Sequence, residues 1–353
     1  MTRWLTFCCI LTTACVLTAP ADAASTVYTG VAPFGATDVP GGFFSGFDVT
    51  ASGKVVGLAG RDIQLYSATG VFERTIATVP DYNGDDAEYG SFCRLTPDES
   101  AVWVGFTVGG NTNDRVYSAP FAGGAATHEA TFTGNYDLEF MPDLGGYVPV
   151  VSGTNSTTFG APNSVWLLDT AADAHVKIAG LGGYASGIAF DSAGNLYAAD
   201  SSLLKLYRFA ADDVQSAAAG GASLVGDDAE FSTDMHFACS DVTVDGGDHV
   251  FFNANDPSYS GASIVSMLQP GYADDTKYDN VAVGSGASGN WSTQIAFGGG
   301  TGDVLAREGS VYVGDYWSSG GVTQLEVPEP ATVALVSTGL LMTGGVLRRR
   351  RRS

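Results

Sequence analysis

The chain is 353 residues long and carries 38 acidic against 16 basic side chains, for a formal net charge of −22. Six of the basic residues lie at the two ends, so residues 24–327 hold 36 acidic and 10 basic side chains, a balance of −26. Such a surface repels phosphate backbones and excludes nucleic acid as a partner, while 11% aromatic and 45% hydrophobic residues exclude collagen, coiled coil and wholesale disorder.

At the N-terminus, Arg3 precedes an apolar run over residues 4–17, and Ala21-Asp22-Ala23 supplies the small-x-small pattern that a signal peptidase cuts. The run is short for a spanning helix. Residues 1–23 are therefore expected to be a cleaved signal peptide, and the chain to be exported. Cys8, Cys9 and Cys15 leave with that segment. The exported body keeps Cys93 and Cys239, which an oxidising compartment allows to form one disulfide or to remain two free thiols.

Residues 25–31 read as a lone strand. From residue 46 onward a unit recurs: a short strand, a turn of Gly, Asn or Asp, and further strands. The first copy runs through Gly46-Phe47-Asp48-Val49, the turn Ser52-Gly53-Lys54, and strands over 55–58, 62–66 and 71–79. The cleanest copy has Ile188 and Phe190 alternating with Ala189, the turn Gly194-Asn195, and strands over 196–200 and 204–209. Third strands of other copies are expected over 115–118, 164–168 and 263–267. No sustained helical period is apparent. Aligning the first strands on Phe47, Cys93, Leu138, Ile188, Val242 and Ile295 gives spacings of 46, 45, 50, 54 and 53 residues. Six starts at this period match one four-stranded propeller blade per repeat. The last copy has no fourth strand of its own after residues 322–327. Residues 25–31 are therefore expected to complete that blade and close the ring. The copy over residues 187–209 resembles NHL-type repeats and other six-bladed propellers. The expected body, residues 24–327, is thus an all-β, six-bladed β-propeller; a large β-sandwich is the alternative.

A duplicated acidic loop stands out: Asp85, Asp86 and Glu88 recur as Asp227, Asp228 and Glu230, each set a few residues before a cysteine. In the six-blade register the two copies fall opposite one another, beside the channel mouth. Three carboxylates in four residues offer hard oxygen ligands, so these six residues are candidates for Ca²⁺; the alternative is a solvated acidic loop. No catalytic residues are assigned. There is no Gly-x-Ser-x-Gly elbow, and His128, His175, His236 and His249 lack ligand spacing. Gly284-Ser285-Gly286-Ala287-Ser288-Gly289 fits a dinucleotide fingerprint in letters alone, with no helix after it to meet a pyrophosphate. Tyr259, Trp291, Tyr312, Tyr316 and Trp317 either stack on sugars or pack between sheets.

The C-terminus carries Pro328-Glu329-Pro330, an apolar stretch over 331–347, and then Arg348, Arg349, Arg350, Arg351 and Arg352. Seventeen residues at helical rise reach about 26 Å, the lower limit for a transmembrane segment. The arginines would hold the end on the cytoplasmic side. In its three parts and their order, the segment 328–353 resembles the PEP-CTERM sorting signal. The resemblance implies recognition by an exosortase, a membrane protease-transpeptidase of Gram-negative bacteria that make extracellular polysaccharide. It also implies transient anchoring in the inner membrane and removal of the tail near Pro328-Glu329-Pro330; a permanent single-span anchor is the alternative. The expected function is an exported cell-envelope or matrix protein, with the propeller as binding module. Its partners would be the exosortase and secretion machinery, and extracellular polysaccharide or envelope proteins. The alternative is a lactonase-like propeller hydrolase with a metal in the central channel. That would need inward-facing acids, and Asp48 and Glu139 serve only if they, rather than Phe47 and Leu138, face the axis.

Overall fold

The computed structural model describes residues 29–34, 44–81, 88–108, 114–143, 146–158, 160–183, 186–235, 239–254, 264–268, 279–281, 292–298, 310–315 and 322–326. The signal segment, the Pro-Glu-Pro tail, Asp85, Asp86, His236, Tyr259, the glycine-rich run over 284–289, Trp291, Tyr316 and Trp317 lie outside the described residues. No described helix is long and apolar enough to cross a membrane.

The strands form six four-stranded antiparallel sheets. Strand β1 (Thr29–Phe34) comes first in the chain but belongs to the last sheet. The first sheet is β2 (Gly46–Val49), β3 (Val55–Ala59), β4 (Asp62–Tyr66) and β5 (Phe72–Thr78). The second is β6 (Glu88–Leu95), β7 (Ala101–Val108), β8 (Arg115–Pro120) and β9 (Thr127–Thr131). The third is β10 (Asn135–Asp143), β11 (Gly146–Gly153), β12 (Ser164–Asp169) and β13 (Ala174–Gly180). The fourth is β14 (Ile188–Phe190), β15 (Leu196–Asp200), β16 (Lys205–Phe209) and β17 (Phe231–Asp234). The fifth is β18 (Val242–Val244), β19 (Val250–Ala254), β20 (Ile264–Leu268) and β21 (Asp279–Val281). The sixth is β22 (Ser292–Gly298), β23 (Ser310–Asp315) and β24 (Val322–Glu326), with β1 added outside β24.

The six residues aligned by sequence period all fall on the first strands β2, β6, β10, β14, β18 and β22. These strands touch one another in that order, and β22 touches β2 again, so the sheets stand around a closed circuit. The period-two pattern explains the cores. In β3, Val56 and Leu58 pack toward the second sheet, while Val55 and Ala59 pack toward the sixth. In β15, Leu196 and Ala198 face the third sheet, and Tyr197 and Ala199 the fifth. Strands β3 and β15 are therefore covered on both faces and read as nearly continuous apolar sequence.

Turn chemistry sets the hairpins. Gly194 takes φ +84° between β14 and β15, while the Asp191 carboxylate accepts the amides of Ala193 and Asn195 at 3.0 and 2.9 Å. One helix was not apparent from periodicity: α1 (Ala211–Ala218), between β16 and β17. It is two turns long, with Asp212 and Asp213 at its N-terminal end and Val214 and Ala217 buried against the third sheet. A pattern this short gives periodicity little to register.

Candidate functional site at the channel mouth

The side chains facing the axis are neighbours of the six aligned residues. Phe47, Cys93, Leu138, Ile188, Val242 and Ile295 are all buried between sheets. The alternation of a strand then turns the adjacent residues toward the centre: Asp48 on β2, Arg94 on β6, Asp137 and Glu139 on β10, and Asp241 beside β18. The register in which Asp48 and Glu139 face inward is the one observed.

Arg94 organises this centre. Its Nη2 donates to Asp137 at 2.8 Å and to Asp241 at 2.5 Å. Its Nε donates to the carbonyl of Leu138 at 3.1 Å and lies 3.3 Å from Glu139. One guanidinium thus ties the second sheet to the third and the fifth. The aspartates also work in a second direction, along the ring. Asp48 accepts the amide of Leu95 at 2.7 Å, Asp137 that of Ile188 at 2.9 Å, and Asp241 that of Ile295 at 2.7 Å. Each aspartate sits on an odd-numbered sheet and latches the inner strand of the next. Each also accepts the amide of its own following residue.

The charges do not balance, with four carboxylates facing one guanidinium. Burial raises the pKa of Asp48, Asp137 and Asp241, and the opposing charge of Arg94 offsets this only in part. Burial alone would weaken the protonated form of Arg94, but Asp137 and Asp241 hold its pKa well above the usual value. Glu139 is pushed up to about 8, chiefly by burial, with Arg94 opposing and Asp137 and Asp48 adding to the rise. About a quarter of its side chain still meets solvent, at 26% exposure, because it looks into a cavity.

That cavity has a volume of about 360 Å³. Asp48, Arg94 and Glu139 line it, with Thr96 and Glu99 from the turn after β6, Thr243 from β18, and Phe140 and Phe297. It opens at the ends of the inner strands, where the first turns of the sheets gather.

A metal does not fit this centre. Both oxygens of Asp48, Asp137 and Asp241 are already engaged by backbone amides, and Arg94 takes Asp137 and Asp241 as well. Among the described residues, no three His, Cys, Asp or Glu side chains form a metal-binding group. The acidic-loop expectation needs correction on position. Asp227 and Asp228 form a short 3₁₀ turn before β17, the outermost strand of the fourth sheet, far from any inner strand. Asp228 accepts the Val225 amide at 2.8 Å, and Glu230 lies 3.7 Å from Arg208. Glu88, by contrast, opens the inner strand β6. The two copies are therefore not equivalent in the fold, and likeness of sequence misled because it ignored strand position.

Cys93 and Cys239 are both buried free thiols, so the disulfide alternative is not realised. Cys93 packs between the first and second sheets, and Cys239 between the fourth and fifth. Burial raises the pKa of both thiols. The described histidines have structural roles: His175 Nε2 lies 3.0 Å from the Thr131 carbonyl, and His249 Nδ1 lies 3.0 Å from Asp245. Tyr312 is packed between the sixth and first sheets.

No protein-family model matches the chain, and no curated protein matches it. Solved structures of β-propeller proteins do match. One is a structural-genomics target designated a gluconolactonase, with TM-score 0.52, 16% identity, and coverage of 86% of this chain and 92% of that one. Another is regucalcin, a calcium-binding protein from Agrobacterium tumefaciens, with TM-score 0.52, 16% identity, and coverage of 86% and 95%. A third is the PQQ-bound aldose sugar dehydrogenase of Streptomyces coelicolor, with TM-score 0.52, 14% identity, and coverage of 87% and 97%. At these identities the likeness concerns the fold alone: the chain is an all-β protein of the β-propeller class.

Proposed function

We propose that the chain is an exported propeller of six four-stranded blades, closed by its N-terminal strand. In this reading it is sorted by its C-terminal tail and acts at the cell envelope or matrix as a binding module. Its ligand enters the cavity at the channel mouth. The observation that carries the binding reading is Arg94. It engages the aspartates where the inner strands meet, and with Asp48 and Glu139 it lines a cavity there. Export and sorting rest on the signal-like residues 1–23 and on the Pro-Glu-Pro, apolar and arginine segments of residues 328–353.

One observation favours a second reading. A carboxyl whose pKa lies at about 8 in a cleft has the properties of a general acid or base, and a gluconolactonase-designated protein shares the fold. A single assay separates the two readings. The exported chain is mixed with gluconolactone in Ca²⁺, Mn²⁺ or Zn²⁺, and acid release is followed. The binding reading expects the spontaneous rate throughout. Metal-dependent turnover that disappears in Glu139→Gln would overturn it in favour of a hydrolase.

A further inference from the structure

We propose that the channel-mouth cavity takes a neutral polyhydroxylated ring, a saccharide unit, by pairing neighbouring ring hydroxyls with Arg94 Nη1 and the Glu139 carboxyl. This rests on reading the cavity as a binding site and gives that site a ligand class.

The argument begins with what Arg94 leaves over. Its Nε and Nη2 are engaged by Leu138, Asp137 and Asp241, whereas Nη1 has no hydrogen-bond partner among the described residues. The side chain is only 4% exposed, yet Nη1 is not among the enclosed atoms lacking a partner, and Arg94 lines the cavity. A guanidinium cannot shed its proton to relieve an unused donor, and the planar fork fixes the donor's direction. Glu139 lies 3.3 Å from Nε of the same guanidinium and is partly open to the same space. The cavity therefore presents a fixed donor and a carboxyl.

A hydroxyl both accepts and donates. Two adjacent hydroxyls on one ring can accept from Nη1 and donate to Glu139 at the same time. Thr96 and Thr243 add hydroxyls to the wall, and Phe140 and Phe297 add apolar surface for the C–H face of a ring. The volume of about 360 Å³ falls at the small end of the range for small-molecule pockets.

Charge narrows the class. Asp137 and Asp241 already pair with Arg94, and Asp48 lines the cavity beside it, so a ligand carboxylate, sulfate or phosphate meets no net positive charge there. A simple cation would satisfy the carboxylates but would meet Nη1 as a like charge. A neutral polyol satisfies both.

The test is saturation-transfer NMR on the exported chain. The probes are the methyl glycosides of glucose, galactose, mannose, rhamnose and N-acetylglucosamine, with glucuronate as the anion and ethanolamine as the cation. Transfer to at least one neutral glycoside is expected, with none to glucuronate. Glu139→Ala removes the acceptor and should weaken the glycoside by at least about tenfold, with a melting temperature no lower than that of the native chain. Thr243→Tyr fills the cavity from a partly exposed strand position and should abolish the transfer. If only ethanolamine binds, the cavity is a site but the saccharide assignment is overturned. If no probe binds, both readings are overturned. Glycoside binding unchanged in both variants would place the sugar elsewhere and overturn the assignment.

Discussion

The guanidinium of Arg94 and the carboxylate of Asp241 are 147 positions apart in the sequence and meet at 2.5 Å, both buried, on the axis of the ring. With Asp137 they span the second, third and fifth sheets from the inside. Replacing Arg94 by Met should leave the carboxylates crowded without a counter-charge, at a cost of about 3–5 kcal/mol. Urea denaturation at neutral pH measures it. Adding Asp241→Asn to that variant should recover part of the loss, since the two residues share one interaction. Equal and additive losses would contradict the clasp.

Where the fourth sheet meets the fifth, the backbones are in contact. A Cβ built on Gly187 would come within 2.3 Å of the backbone of Asp241 and Val242. Those atoms cannot swing aside as a side chain would. Gly187→Ala should therefore separate the two sheets, costing about 1–3 kcal/mol or more. It should also loosen Asp241 from Arg94. Its effect should accordingly shrink in an Arg94→Met background, which a thermal-melt cycle on the four proteins reads directly.

Stability should fall toward alkaline pH for a reason seated in Glu139. Its pKa is raised from 4.5 to about 8 on folding, so the folded state holds a proton that the unfolded chain has lost in that window. The contribution is fully present below about pH 4.5 and is lost as pH rises to about 8, at no more than about 1.4 kcal/mol per pH unit. Melting curves of the native chain and Glu139→Gln should diverge across this interval, with the variant losing less. Parallel curves would show that Glu139 ionises freely.

Much of the ring could be read from sequence, because each first strand repeats a local pattern at a nearly constant spacing. A closing strand was expected over 25–31 through the missing fourth strand of the last repeat; the strand that pairs with β24 is β1 at Thr29–Phe34, which overlaps that range only at residues 29–31. The centre was harder to see. Asp48, Arg94, Asp137 and Asp241 come singly from different strands, and no local spacing joins them. One signal was available: each stands immediately beside an aligned position, at Phe47, Cys93, Leu138 or Val242, in a chain only 15% charged. The tandem Asp-Asp pairs drew attention instead because they are contiguous, although one falls in the turn that leads into an outer strand.

The sorting proposal makes its own prediction. In a host with an exosortase, the mature chain should lack residues 1–23 and the segment beyond Pro328-Glu329-Pro330. In an exosortase deletion strain the tail should remain and the chain should fractionate with the inner membrane. Intact mass of both preparations decides it. An unprocessed tail in both strains would make residues 331–347 a permanent anchor and end the exosortase assignment.

The position of β24 has a mechanical consequence. It lies hydrogen-bonded between β23 on one side and β1 on the other, and is the last described strand of the chain. A pull applied beyond Glu326 runs along this strand, so the bonds on both its flanks are loaded in shear together instead of being unzipped one at a time. A chain tethered by its end would bear tension there without unzipping its sixth sheet, and the force would be passed to β1, the first described strand.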